Sequence, residues 1–483
     1  MKSRRYRYKL IALLLTGLFV LAGAYGARSV SHYGSRWFSY AANPRLAARK
    51  QLVTEGDILD RKGTVLAATR DGVRVYNENR AVRSATVHVV GDRRGMIANS
   101  VESFHAGWLY GYSSSLSDAF RHLLHPDEVR RGNDVTLTVD ADLSASVPAG
   151  FASHDVTKGK NGAAVVLNYL TGEVLALVSL PVFDPDDLSD AALSGLDHPY
   201  FNRAVQSLLP PGSTFKIVTA AAALSGLPGS DTKVFSCSGS LRVSETFTVQ
   251  EFGHAVHGNL NMSEAFLRSC NTFFASLALE LGDSALRSEA EKFAFNRNFL
   301  FRDIVVYNSR YPSSSQSPET LAASGYGQSS LLATPMHLCL ISAAVANGGQ
   351  MPEPRLLKQV TNSAGTRLLS FSSAPAGTVC SRNVADRLSE MMKSVVQGGG
   401  SGFRAQVPTL DVRGKTGTAV STADGRQVNY GWFTGFNAQK DLPVAVCILV
   451  EDIADGETGG TTAALVARDV FSWFRSHPDV ISR

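Results

Sequence analysis

One stretch, LIALLLTGLFVLAGAYGA at residues 10–27, carries no charge, and no other stretch of the chain is long and apolar enough to cross a membrane. It approaches the roughly 20 residues a helix needs to cross a bilayer. The polar and aromatic residues 28–40 continue that helix. Residues 55–67 alternate and carry a turn signal at Lys62-Gly63, which predicts a β-hairpin. The β-branched run Ala85-Thr86-Val87-His88-Val89-Val90 reads as a short strand and residues 116–124 as a helix. Residues 134–139 alternate strongly, and a helix starts within 140–146. Two apolar runs, 162–166 and 173–180, flank Thr171-Gly172 as a second hairpin. Helical runs follow at 213–224, 262–268, 272–281, 283–293 and 336–346. The last third returns to strands at 410–420, 431–437 and 444–451, then closes on an amphipathic helix at 461–474. Strands, helices, strands and a terminal helix predict an α+β fold, with one mainly antiparallel sheet carrying helices on its faces. A division near residue 140 separates a small, mainly β domain (28–140) from a larger one (141–483).

Charge changes the picture at one end only. Lys2, Arg4, Arg5, Arg7 and Lys9 supply five of the formal +5, so the chain beyond them is neutral. That leaves no basic surface for nucleic acid. The basic tail (1–9) beside the apolar run marks the cytoplasmic flank of a transmembrane anchor (10–27), with the rest exported. Ala22-Gly23-Ala24 also resembles the cleavage site of a signal peptide, but the apolar run is longer than a usual signal core. Apolar content of 44% against 18% charged describes a folded chain. Cys237, Cys270, Cys339, Cys380 and Cys447 are odd in number and form no C-x-x-C, so they read as buried small residues. His254 and His257 read as loop histidines, and no metal or cofactor is expected.

Candidate chemistry begins at Pro210-Pro211-Gly212-Ser213-Thr214-Phe215-Lys216. Two prolines and a glycine stop the preceding segment, and a helix starts at Gly212 or Ser213. Residues three apart share a helical face, so Lys216 lies beside Ser213. A serine alcohol with a neighbouring amine forms a nucleophile and its base, and the helix start favours developing negative charge. By itself S-x-x-K arises by chance about once or twice in a chain this long, so the other motifs decide its standing. Ser269-Cys270-Asn271 lies between two helical runs, where a hydroxyl and an amide can enter a cleft; alone it reads as a helix cap. Lys415-Thr416-Gly417-Thr418 falls on a strand, with Lys415 and Gly417 on one face and Thr416 and Thr418 on the other.

In that order, S-x-x-K, S-x-N and K-T-G resemble the signature of penicillin-binding proteins and class A β-lactamases. The whole chain resembles a monofunctional class B penicillin-binding protein, most specifically from Asn161 onward. Asn202-Arg203-Ala204, Gly325-Tyr326-Gly327-Gln328, Ala333-Thr334-Pro335 and Gly431-Trp432-Phe433-Thr434-Gly435 support this. Where relatives usually carry Arg before the membrane-proximal hairpin, this chain has Glu55. The resemblance implies a penicillin-binding/β-lactamase-like transpeptidase domain, with an all-helical lobe, on a small β pedestal. It implies a D-Ala-D-Ala transpeptidase that cross-links peptidoglycan stem peptides and is inhibited by β-lactams. Ser213 would be the nucleophile and Lys216 its base, its proton affinity lowered by burial and a second ammonium. Ser269 would relay the proton, Asn271 would bind the donor amide and Lys415 would supply positive potential. Thr416 and Thr418 would hold the terminal carboxylate, and Gly417 would let the donor lie along the strand. A membrane glycosyltransferase of the shape, elongation, division and sporulation type is the implied partner. The alternatives are a DD-carboxypeptidase, a β-lactam hydrolase or sensor, and a catalytically silent scaffold of a wall-synthesis complex.

Overall fold

A computed structural model describes residues 2–38, 53–111, 130–423 and 425–481. The N-terminal helix α1 (Lys2–Phe38) contains a 22-residue stretch, Tyr8–Ser29, of mean hydropathy 2.1 and with no buried residue. Among the described residues it is the one helix long and apolar enough to cross a membrane. The expected helix at 116–124 lies outside the described residues.

The expected first hairpin forms between β1 (Ile58–Leu59) and β2 (Val65–Arg70), and β3 (Val73–Tyr76) pairs onto β2. The Asp60 carboxylate accepts the Lys62 and Thr64 amides and so closes the turn. The strand expected at 85–90 is instead part of helix α2 (Arg80–Val90), which is capped by the Asn79 side chain on the Ala81 amide. Residues 84–90 of α2 are all buried, so no polar face breaks the β-branched run to reveal its helical period. Strand β4 (Asp134–Leu137) runs parallel to β1 and leads into helix α3 (Ala141–Ala152), capped by Asp140. On its other side β4 pairs antiparallel with β7 (Leu357–Thr361), which carries β8 (Arg367–Ser370). The six-stranded sheet β8-β7-β4-β1-β2-β3 therefore takes strands from both sides of residue 140.

The second sheet positions the site. The hairpin β5 (Gly162–Asn168) and β6 (Val174–Leu180) is completed by β9 (Val412–Ala423), β10 (Arg426–Asn437) and β11 (Val444–Glu451). The order is β9-β10-β11-β5-β6, antiparallel throughout. Alternation decides its two cores. Ala163, Val165, Leu167, Cys447 and Leu449 face helix α8 (Pro335–Ala346) and the helical lobe. Ala164, Val166, Val446, Ile448 and Val450 face α3 and the terminal helix α10 (Ala463–Ser476). The helical lobe holds α4 (Lys216–Gly226), α5 (Met262–Arg268), α6 (Asn271–Leu281) and α7 (Asp283–Lys292). Helix α9 (Arg382–Val396), which the sequence analysis did not find, packs on β9. All five cysteines are buried and free.

Candidate active site

Ser213 sits in a single 3-10 turn, Gly212–Phe215, that passes directly into α4. The turn is wedged against β9. Gly212 has φ +53, and a Cβ there would collide with the Thr418 carbonyl. Gly417 has no room either: a Cβ would stand 2.7 Å from the Pro211 carbonyl oxygen and 3.0 Å from Thr214 Cγ2. The glycine expected to admit a substrate strand is thus required first by the serine's own turn. Trp432, fully buried and opposite Gly417 in the ladder, donates its indole N–H to the Pro210 carbonyl at 3.0 Å. Trp432→Phe should keep most of the packing but strand that carbonyl. We expect a stability loss of about 1–2 kcal/mol by denaturant melt, with slower reaction at Ser213.

Lys216 is the first residue of α4 and is completely buried. Its Nζ donates to the Ser269 carbonyl at 2.6 Å and to Asn271 Oδ1 at 2.8 Å, and lies 3.2 Å from Ser269 Oγ. Lys415, also completely buried, reaches the same hydroxyl from β9 at 2.9 Å. Two lysines from opposite walls therefore converge on one serine oxygen. Burial pushes Lys216 down to about 7, with Glu251 and Cys270 pulling the other way. Lys415 lies well below its ordinary value, through burial and then the neighbouring Lys216. A single proton shared between them is therefore far easier to hold than two. The rings of Phe274 and Phe266, 5.5 and 5.6 Å from the two nitrogens, offer the remaining charge a π face. No hydrogen bond joins Ser213 to Lys216 among the described residues; the amine is engaged with the Ser269 loop instead.

That loop is built with strain. Ser269 ends α5 in the left-handed region at φ +58, which few residues other than glycine adopt. Glu251, which the sequence analysis passed over, holds the far side. Its carboxylate accepts the Asn271 amide at 2.9 Å and the Thr272 amide at 2.6 Å, at the start of α6. Burial holds the Cys270 thiol up at about 12, so it is no nucleophile. His257, expected as a plain loop histidine, packs into this group. Its Nδ1 is 3.6 Å from Cys237 Sγ, Cys237 Sγ is 3.8 Å from Glu251 Oε1, and Cys270 Sγ is 3.1 Å from the same oxygen. Donor atoms of all four lie within 4.8 Å of one another. Zinc at its usual bond lengths spaces tetrahedral ligands by about 3.3–3.8 Å, so Cys237, Glu251, His257 and Cys270 are the described residues that could hold a metal ion. Their scatter from 237 to 270 with no motif spacing hides the group from sequence reading.

Ser213, Ser269, Asn271, Thr416 and Thr418 all line one cavity of about 510 Å³, while Lys216 and Lys415 lie buried behind Ser269. β9 forms an edge of its sheet, so its outer ladder is unpaired. Three separated motifs thus meet at one cleft beside a free strand edge. The family model of the penicillin-binding protein transpeptidase domain matches residues 162–472. The chain belongs to the penicillin-binding protein transpeptidase family. It is 30% identical over 404 residues to the peptidoglycan D,D-transpeptidase MrdA of Acinetobacter baumannii, covering 75% of this chain and 57% of that protein. It is also 30% identical to the peptidoglycan D,D-transpeptidase PbpA of Mycolicibacterium smegmatis, covering 70% of this chain and 72% of the relative. Among solved structures, the ceftriaxone acyl-enzyme of penicillin-binding protein A from M. tuberculosis superposes with a TM-score of 0.77 at 26% identity. That match covers 88% of this chain and 98% of the other. The class B resemblance read from the motifs, and the α+β transpeptidase fold, both stand.

Proposed function

We propose that this chain is a serine D,D-transpeptidase of peptidoglycan. The observation that carries the reading is the Ser269 hydroxyl shared by two buried lysines on the wall of the Ser213 cavity. A donor stem peptide ending in D-Ala-D-Ala adds as a strand to the open edge of β9. Its carboxylate meets the hydroxyls of Thr416 and Thr418, and the charge shared by Lys415 draws it in. Asn271 holds a donor amide. Neutral Lys216 takes the proton from Ser213 Oγ as that oxygen attacks the penultimate D-Ala carbonyl. Backbone amides of Ser213 and Thr418 hold the oxyanion. The C–N bond then breaks; the proton passes through Ser269 to the leaving amine, and D-Ala departs. The acyl-enzyme next accepts the amine of a second stem. A new amide forms, and the Ser213 oxygen recovers a proton.

The basic tail beside the apolar stretch of α1 supports a reading in which α1 is a retained single-pass anchor and the catalytic part lies outside the cytoplasmic membrane. The family resemblance implies a membrane glycosyltransferase of the shape, elongation, division and sporulation type as the partner that would supply the uncross-linked glycan. Product analysis tests the assignment: the purified protein is given a D-Ala-D-Ala stem donor and an amine-bearing stem acceptor. Cross-linked dimer with one D-Ala released per bond is expected. D-Ala release with only the shortened monomer as partner product would make the protein a carboxypeptidase instead.

A further inference from the structure

The loop after α9 reads Gln397-Gly398-Gly399-Gly400-Ser401-Gly402 and brings one hydroxyl into the cavity that no sequence motif marks. Ser401 Oγ lies 2.8 Å from Thr416 Oγ1. The loop is fixed on two sides. The Gly402 amide donates to the Val395 carbonyl at 3.0 Å, and a Cβ on Gly460 would collide with the Ser401 carbonyl. Thr418, the other hydroxyl of the strand, has a fixed partner too: the Gly459 amide donates to its Oγ1 at 3.2 Å.

A hydroxyl has one proton to give and two lone pairs to fill, and a carboxylate can only accept. With an amide already donating to Thr418 Oγ1, that hydroxyl proton is left for a ligand. Thr416 can be set the same way by a donor from its protein side, and Ser401 is the neighbour that can provide it. We propose that Ser401 is a positioning residue for carboxylate recognition: its O–H donates to Thr416 Oγ1 and turns the Thr416 proton toward the carboxylate of the ligand. Both strand threonines are then held as donors before the ligand arrives, so no hydroxyl has to reorient on binding.

This inference rests on the transpeptidase reading, and one experiment separates their failures. Second-order acylation constants are measured on the full chain with benzylpenicillin and with its methyl ester. The two share every feature except the free carboxylate. The wild type should prefer the acid strongly, and Ser401→Ala should lower the acid-to-ester ratio about tenfold. Ser401→Thr, which keeps the hydroxyl, should hold the ratio within about twofold of wild type. The ratio does not depend on the fraction of folded protein, because both compounds report on the same active molecules. An unchanged ratio in Ser401→Ala, or equal loss toward both compounds, overturns the role of Ser401. A wild type that reacts with neither compound instead removes the transpeptidase reading itself, and one that reacts equally with both removes the carboxylate reading of Thr416 and Thr418.

Discussion

Ser213→Ala is expected to abolish covalent labelling of the protein by a fluorescent penicillin, with a loss of about 10⁴-fold or more in the acylation rate. The alcohol is half-buried at the cavity wall, and its turn is locked against β9 by the close approach of Gly212 to the Thr418 carbonyl and of Gly417 to Pro211 and Thr214. Removing one oxygen should therefore leave the fold and its melting temperature almost unchanged. Of the neighbouring alternatives, the Cys270 thiol is buried and held protonated, and the half-buried Ser269 is engaged by both lysines. Labelling that survives in Ser213→Ala would move the nucleophile elsewhere and end the proposed mechanism.

The second large effect concerns Lys216, and its sign differs between activity and stability. As base, the amine must be neutral, so acylation by penicillin should rise with pH and level off above a midpoint near 7. Lys216→Arg, whose guanidinium keeps its proton, should lose about 10³-fold or more at every pH. For stability, burial disfavours the charged form in the folded state, whereas the unfolded lysine titrates at 10.5. The folded protein thus binds fewer protons than the unfolded chain between pH 7 and 10.5. The resulting penalty is fully present below 7 and fades as pH rises through that window. Lys216→Met should therefore be inactive yet more stable near neutral pH. The gain should be only about 2 kcal/mol, because the Ser269 carbonyl and Asn271 Oδ1 lose their donor. A Lys216→Met protein less stable than wild type in denaturant melts at pH 7, or a flat pH profile for acylation in the wild type, would argue against a base of lowered proton affinity.

How legible the site was depended on how far its parts lie apart in the chain. Ser213 and Lys216 were readable together because helical spacing alone sets them side by side. Lys415 and the two threonines were readable as faces of one strand. What spacing could not supply was the meeting of Lys216 and Lys415 at Ser269, 53 and 146 residues away from that serine. Nor could it place Glu251, which caps α6 from a loop 20 residues earlier. Ser401 lies in a glycine run that looks like a simple connector, and only the packing of Gly402 and Gly460 turns it toward Thr416. In the fold, elements with one wet face, such as α10, showed their period plainly. Helix α2 did not, because it is covered almost all round. Strands β7 and β8 were not read at all: both are short, and β7 has its partner in β4, more than 200 residues earlier.

That last pairing sets a timetable. A chain delivered from its N-terminus presents β1–β4 long before β7 exists, so the hydrogen-bonding edge of β4 stands open while over 200 residues follow. The six-stranded sheet can reach its final form only after strand β7 has been made. A chain halted before residue 357 would be left with a raw edge ready to pair with a neighbour. One late hairpin therefore works as a completion check: the support beneath the active site closes only on a molecule whose synthesis has passed the nucleophile.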